Sequence, residues 1–115
     1  MKVMRRKRGR PPGISKKRLD DMIEQATVDA YNEAERATGW LTMIQENLAV
    51  PFETTVLGAQ VTVEKIDLND SDDIVAVCVR GRSRQPIPIV DLPLPTPRPA
   101  GAEWIEAYRW WHHGG

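Results

Sequence analysis

Acidic residues are missing from the first nineteen positions, cysteine occurs once, and no window approaches the roughly 20 apolar residues a membrane helix needs. Each absence excludes something. With Cys78 alone, no disulfide can form within the chain, and a cysteine inside the apolar run "IVAVCVR" reads as a small buried hydrophobe in a reducing compartment. The basic N-terminus leads into "PPGISKKRLDDM", not into an apolar stretch of signal-peptide length, so the reading is cytoplasmic with no membrane partner. A Ser-His-acid set, a phosphate-binding loop and metal-hydrolase spacing are all absent, which argues against an enzyme. No segment repeats.

What is present is charge, in two separated blocks. The formal total of zero divides into nine Lys or Arg with no acid over residues 1–19, and seven basic residues with all sixteen acids over residues 20–115. A +9 segment therefore precedes a −9 body. The first can seek polyanions and the second cations, each over about a Debye length of roughly 8 Å at physiological salt.

The basic segment contains "KRGRPPG", in which Arg8, Gly9, Arg10 and Pro11 spell the core of an AT-hook and Lys7 flanks it as a further DNA-binding candidate. A narrow A·T minor groove shows only acceptors and concentrates negative potential, so two arginines flanking a side-chain-free glycine can run along its floor. The competing reading is a generic basic tail that meets any polyanion through its phosphates. With charge, Pro and Gly but nothing to bury, residues 1–14 are expected to be a disordered tail and 15–115 a single domain.

Within that domain, Ser15 can cap a helix through "KKRLDDMIEQATVDA" with Leu19, Ile23 and Ala26 on one face. Asn32 followed by Glu35 makes a capping-box-like start to a second helix. Its apolar face reads Ala34, Ala37, Leu41, Ile44 and Leu48, and Pro51 ends it. From Phe52 the period changes to two. "FETTVLGAQVTVEKIDL" breaks at Gly58 into two short strands, and "DIVAVCVR" is the most buried strand. Pro86 and Pro88 lie two apart and remove N–H groups from one side, which demands an edge strand or a barrel seam. After the proline-rich connector "DLPLPTPRPAG", "AEWIEAYRWW" reads as a short last helix with Trp104, Tyr108 and Trp111 on one face, read as core. The sum is an α+β domain: N-terminal helices on a small, curled (SH3-like) antiparallel sheet of four or five strands, with a C-terminal helix. His112 and His113 are read as solvent-exposed. Arg80, Arg82 and Arg84 alternate about a turn and are expected to share one face of a hairpin.

The stretch "KIDLNDSDDIVAVCV" holds the densest acid. Asp67, Asn69, Ser71 and Asp73 alternate like the opening of an EF-hand loop, but Asp72 replaces the sixth-position glycine and Cys78 the twelfth-position glutamate. There is no EF-hand. A solvated hairpin turn accounts for Asn, Asp and Ser here. A hard-cation loop accounts for the crowding of Asp70, Asp72 and Asp73 with no intervening Lys or Arg, since like charges so close oppose one another's ionisation. Such a loop needs further oxygens, and Asp29, Glu33 and Glu35 in "DAYNEAE" are the candidates.

The ordered series "VDAYNEAERATGW", "ENLAVPF", a β region and "EWIEAYRWW" resembles the small bacterial calcium-binding family typified by CcbP, over about residues 28–111. The resemblance implies a monomeric acidic domain without an EF-hand that binds calcium, as buffer or sensor; the oxygen-rich acids would also accept magnesium, another hard cation. It implies metal ligation by Asp29 and Glu35 and by the acidic hairpin of Asp67, Asp70, Asp72 and Asp73, with Glu33 beside them. Gln45 stands where it leads one to expect an acid. The alternative is a DNA-associated adaptor whose domain binds a protein instead of a metal.

Overall fold

Ser15 starts the first helix, α1 (Lys16–Thr27), by accepting a hydrogen bond from the Arg18 N–H at 3.1 Å. The structure is a computed structural model describing residue 11 and residues 13–114. Lys7, Arg8, Gly9 and Arg10 lie outside the described residues. Pro11 lies within them, and its carbonyl accepts from the Ile14 N–H at 3.3 Å. Ile14, assigned to the tail in the sequence, is buried in the core cluster. Leu19, Met22 and Ala26 form the buried stripe of α1. The helix stops at Thr27, short of the predicted Ala30, because Val28 turns extended and Asp29 takes a left-handed φ of 59°.

The second helix, α2 (Glu33–Asn47), begins at Asn32, whose Oδ1 accepts from the Glu35 N–H at 2.8 Å. Glu35 Oε1 reaches back to the Tyr31 N–H at 2.7 Å, closing the box one residue earlier than the usual partner. Ala37, Trp40 and Ile44 carry its burial and Leu48 extends the stripe, whereas Ala34 is exposed. Gly39 lets the helices cross closely: a Cβ there would stand 1.9 Å from the Ala26 carbonyl oxygen.

Four strands then form an antiparallel meander in the order β1-β2-β3-β4: β1 (Phe52–Val56), β2 (Ala59–Leu68), β3 (Ile74–Arg80) and β4 (Ser83–Pro88). A register shift between Val63 and Lys65 breaks the β2–β3 ladder, and such bulges bend and twist a sheet. β3 lies between β2 and β4, with Ile74, Val75, Ala76 and Cys78 buried. β4 is an edge strand, as Pro86 and Pro88 require.

The three arginines do not share a face. Arg80 pairs with Ser83 across a two-residue turn, so Arg84 falls opposite Val79, on the other face from Arg80. There Arg84 bridges to Glu64, with Nη1–Oε1 at 2.5 Å and Nη2–Oε2 at 3.3 Å.

A 3-10 turn (Ile89–Asp91) and the proline-rich connector lead to α3 (Ala102–His112). Gly101 precedes it with φ 87°, and a Cβ there would meet the Asn47 carbonyl oxygen at 1.9 Å. The aromatic face of α3 packs around Trp40 of α2. Ring centroids lie 6.3 Å away for Trp104, 5.6 Å for Tyr108 and 5.6 Å for Trp111. This cluster is core. Arg109 ties α3 to the connector by donating to the Ile89 carbonyl at 2.8 and 3.0 Å and to the Leu92 carbonyl.

Candidate functional site

The acidic turn between β2 and β3 is held by its own asparagine. Asn69 Oδ1 accepts from the Ser71 and Asp73 N–H groups, each at 2.9 Å, and its backbone N–H donates to the Asp73 carbonyl at 2.9 Å. Asp72 takes a left-handed φ of 62° and donates its N–H to the Asn69 carbonyl at 3.1 Å. This accounts for the turn without a cation, as an Asx-stabilised hairpin. It also leaves acids unspent: the carboxylates of Asp70, Asp72 and Asp73 make no hydrogen bond or ion pair among the described residues.

Two of those aspartates, Asp72 and Asp73, line a cleft of about 490 Å³. Asp72, Asp73 and Ser71 form one wall, Glu33 and Arg36 of α2 a second, and Tyr108, Trp111 and His112 of α3 a third. Glu33 is brought there by the start of α2, where a carboxylate also gains from the helix dipole. Burial pushes the Tyr108 phenol above its ordinary 10.0, and the negative charge of Asp73 pushes it further. His112 is exposed, as expected, yet its Nδ1 lies 3.4 Å from the Tyr108 hydroxyl at the rim.

The other candidate acids fall elsewhere. Asp29 and Glu35 line a separate groove of about 290 Å³ beside Gly39, and Glu35 is engaged in capping α2. Asp67 lies with Gln45 and Lys65 in a third groove of about 320 Å³. It accepts from the Leu68 N–H at 2.8 Å and lies 3.6 Å from Lys65 Nζ. Gln45 donates its amide to the Ile66 carbonyl at 2.8 Å. Asp70 is exposed in the acidic turn and does not line the cleft.

Seven acids named from the sequence thus divide among three grooves and the turn. Among the described residues, no three His, Cys, Asp or Glu side chains stand close enough together to hold a metal ion. The donor chemistry nonetheless suits a hard cation: carboxylates, a serine hydroxyl and turn carbonyls are all oxygen ligands. The sequence does not single out Arg36, Tyr108 or His112 as site residues. Arg36 had a signal, since it follows Glu33 by three residues on one helix face; the two α3 residues had none, because their approach to residues 71–73 depends on tertiary packing.

Three helices on a four-stranded antiparallel meander define a small α+β domain whose charge is concentrated in an acidic turn rather than in an EF-hand. The chain belongs to the CcbP calcium-binding family: the family model, described as calcium binding, matches residues 20–112. Two solved structures share the fold. The crystal structure of Anabaena CcbP superposes with a TM-score of 0.68 at 19% identity, covering 89% of this chain and 94% of that one. A calcium binding protein in its calcium-binding form gives a TM-score of 0.63 at 19% identity, covering 82% and 88%. No curated protein matches in sequence. The family is one of calcium-binding proteins and not of enzymes. No helix among the described residues is long and apolar enough to cross a membrane.

Proposed function

We propose that this chain binds calcium in the cleft between the acidic turn and the start of α2, as a buffer or sensor. One observation carries the reading: Glu33 lines a single cleft with Asp72 and Asp73, from which it is remote in sequence, and the two aspartates hold no counter-ion among the described residues. The chain's family membership supports the choice of cation.

Glu33, Asp72 and Asp73 are the direct ligands in this reading, with Ser71 and water completing the six to eight oxygens calcium takes. The set is not pre-assembled, so binding draws the turn and the helix start together. Calcium tolerates such an adaptable, irregular shell; magnesium demands near-ideal octahedral geometry and is the weaker fit. Arg36, in the same cleft, sets an upper limit on the site's net negative charge. Asp70 adds charge from the turn, while Asp29, Glu35 and Asp67 lie in other grooves and act at longer range.

Calorimetric titration of the full chain with calcium tests this. The wild type is expected to give a saturable heat. Asp72→Asn with Asp73→Asn should weaken binding by an order of magnitude or more, as should Glu33→Gln, while Asp29→Asn with Glu35→Gln should do far less. Absence of binding at millimolar calcium would sink the calcium reading. Loss through Asp29 and Glu35 alone would keep calcium but move the site.

A further inference from the structure

The inner face of the sheet continues past the residues that the helices cover. Cross-strand register places Val56, Val61, Cys78 and Ile87 on that face together with Arg80, at the end of the sheet opposite the acidic turn. These residues line a groove of about 350 Å³ with no helix residue in its wall. That volume lies toward the lower end of small-molecule sites, roughly 300–1,000 Å³. Its chemistry is one-sided. The walls are apolar, Ser83 and Gln85 are neutral, Arg80 is the one charged residue lining it, and no carboxylate does. The Arg80 side chain is exposed and makes no hydrogen bond or ion pair among the described residues, whereas that of Arg84 on the other face is bridged to Glu64.

An apolar trough with one unpaired arginine in its lining matches one kind of ligand. From this geometry we infer that the groove binds a small apolar anion, its hydrocarbon against Val56, Val61, Cys78 and Ile87 and its carboxylate on Arg80. Guanidinium is suited to this because it meets a carboxylate through two parallel N–H donors, and such charge-assisted bonds are the strong ones. The basic N-terminal segment is a poor occupant, since it would set like charge against Arg80. The site is separate from the calcium cleft and does not rest on it.

Octanoate is the probe, with octanol and octylamine as controls, titrated into the full chain and followed by amide chemical shifts. Saturable octanoate binding is expected, with shifts concentrated at Val61, Cys78 and Ile87 and with octanol weaker and octylamine weakest. Cys78 supplies a second readout, because a seated chain should slow its reaction with aqueous thiol reagents. Arg80→Gln should weaken octanoate roughly tenfold or more while leaving octanol unchanged, the loss expected for a hydrogen bond to a charged group. Ser83→Trp, at an exposed position on the rim, should block both. The inference is overturned by no saturation at millimolar octanoate, by equal affinity in Arg80→Gln, or by shifts elsewhere. Attachment to phosphatidylglycerol vesicles without saturable octanoate binding would overturn it in favour of a membrane-contacting surface.

Discussion

The phenol of Tyr108 in α3 is linked to the carboxylate of Asp73 in the β2–β3 turn: burial raises its pKa above 10.0, and the charge of Asp73 raises it further. Because the folded value is the higher one, the contribution to stability is fully present below pH 10 and is lost as pH rises through the folded value. In a Tyr31→Phe background, absorbance titration should therefore show Tyr108 ionising above 10.0. Asp73→Asn should lower that pKa without returning it to 10.0, since burial remains. An unchanged titration in Asp73→Asn would show that the turn does not face α3 as described.

Burial likewise raises the Cys78 thiol above its ordinary 9.0, and its Sγ lies 3.6 Å from the Ala76 carbonyl as a weak donor. A thiol is a nucleophile only as thiolate, so Cys78 should react slowly with aqueous disulfide reagents at pH 8 and rapidly once the chain is unfolded. Fast native labelling would mean that β3 is not the covered central strand.

Gly39→Ala should destabilise the domain by about 1–3 kcal/mol, the range for overpacking, because the new methyl would fall 1.9 Å from the Ala26 carbonyl oxygen. Alanine favours helix over glycine by about 1 kcal/mol, so a neutral or stabilising outcome in chemical denaturation would show that α1 and α2 do not cross this closely.

Arg98 meets Glu106 at two points, Nη2–Oε1 at 2.9 Å and Nη1–Oε2 at 3.3 Å, with the glutamate side chain only 11% exposed. Arg98→Met strands that carboxylate and should cost about 1–3 kcal/mol. Glu106→Gln leaves an exposed arginine able to meet water and should cost less. A domain of this size shifts its melting temperature by several degrees per kcal/mol, so thermal denaturation resolves the two. Equal losses would show that the pair acts through packing instead of charge.

These relationships divide by how far they reach along the chain. Caps and periods were legible because they are local: Ser15 and Asn32 start the helices they signal, and Pro86 with Pro88 marks the edge strand. Trp40 shows a partial failure. It lies three residues from Ala37 and four from Ile44, on the same stripe, but it is buried among three aromatic rings that only the packing of α3 brings to it. The arginine trio misled because alternation along the chain is interrupted at a two-residue hairpin. Crowded acids identified the turn, yet which of them share a cleft with Glu33 depends on where α2 comes to lie against the sheet, and no local spacing encodes that.

The prolines of β4 decide how other chains can approach. A strand seeking to extend this sheet would run alongside Pro86 and Pro88 and find carbonyls there with no amide hydrogens to answer its own. Fibril growth and strand exchange both depend on an uninterrupted backbone template, and at this border the template is spoiled at alternate positions. A protein that keeps half-buried valine and isoleucine on the neighbouring inner face thereby stays protected from copies of itself along that border, and visitors to it must be recognised by side chains.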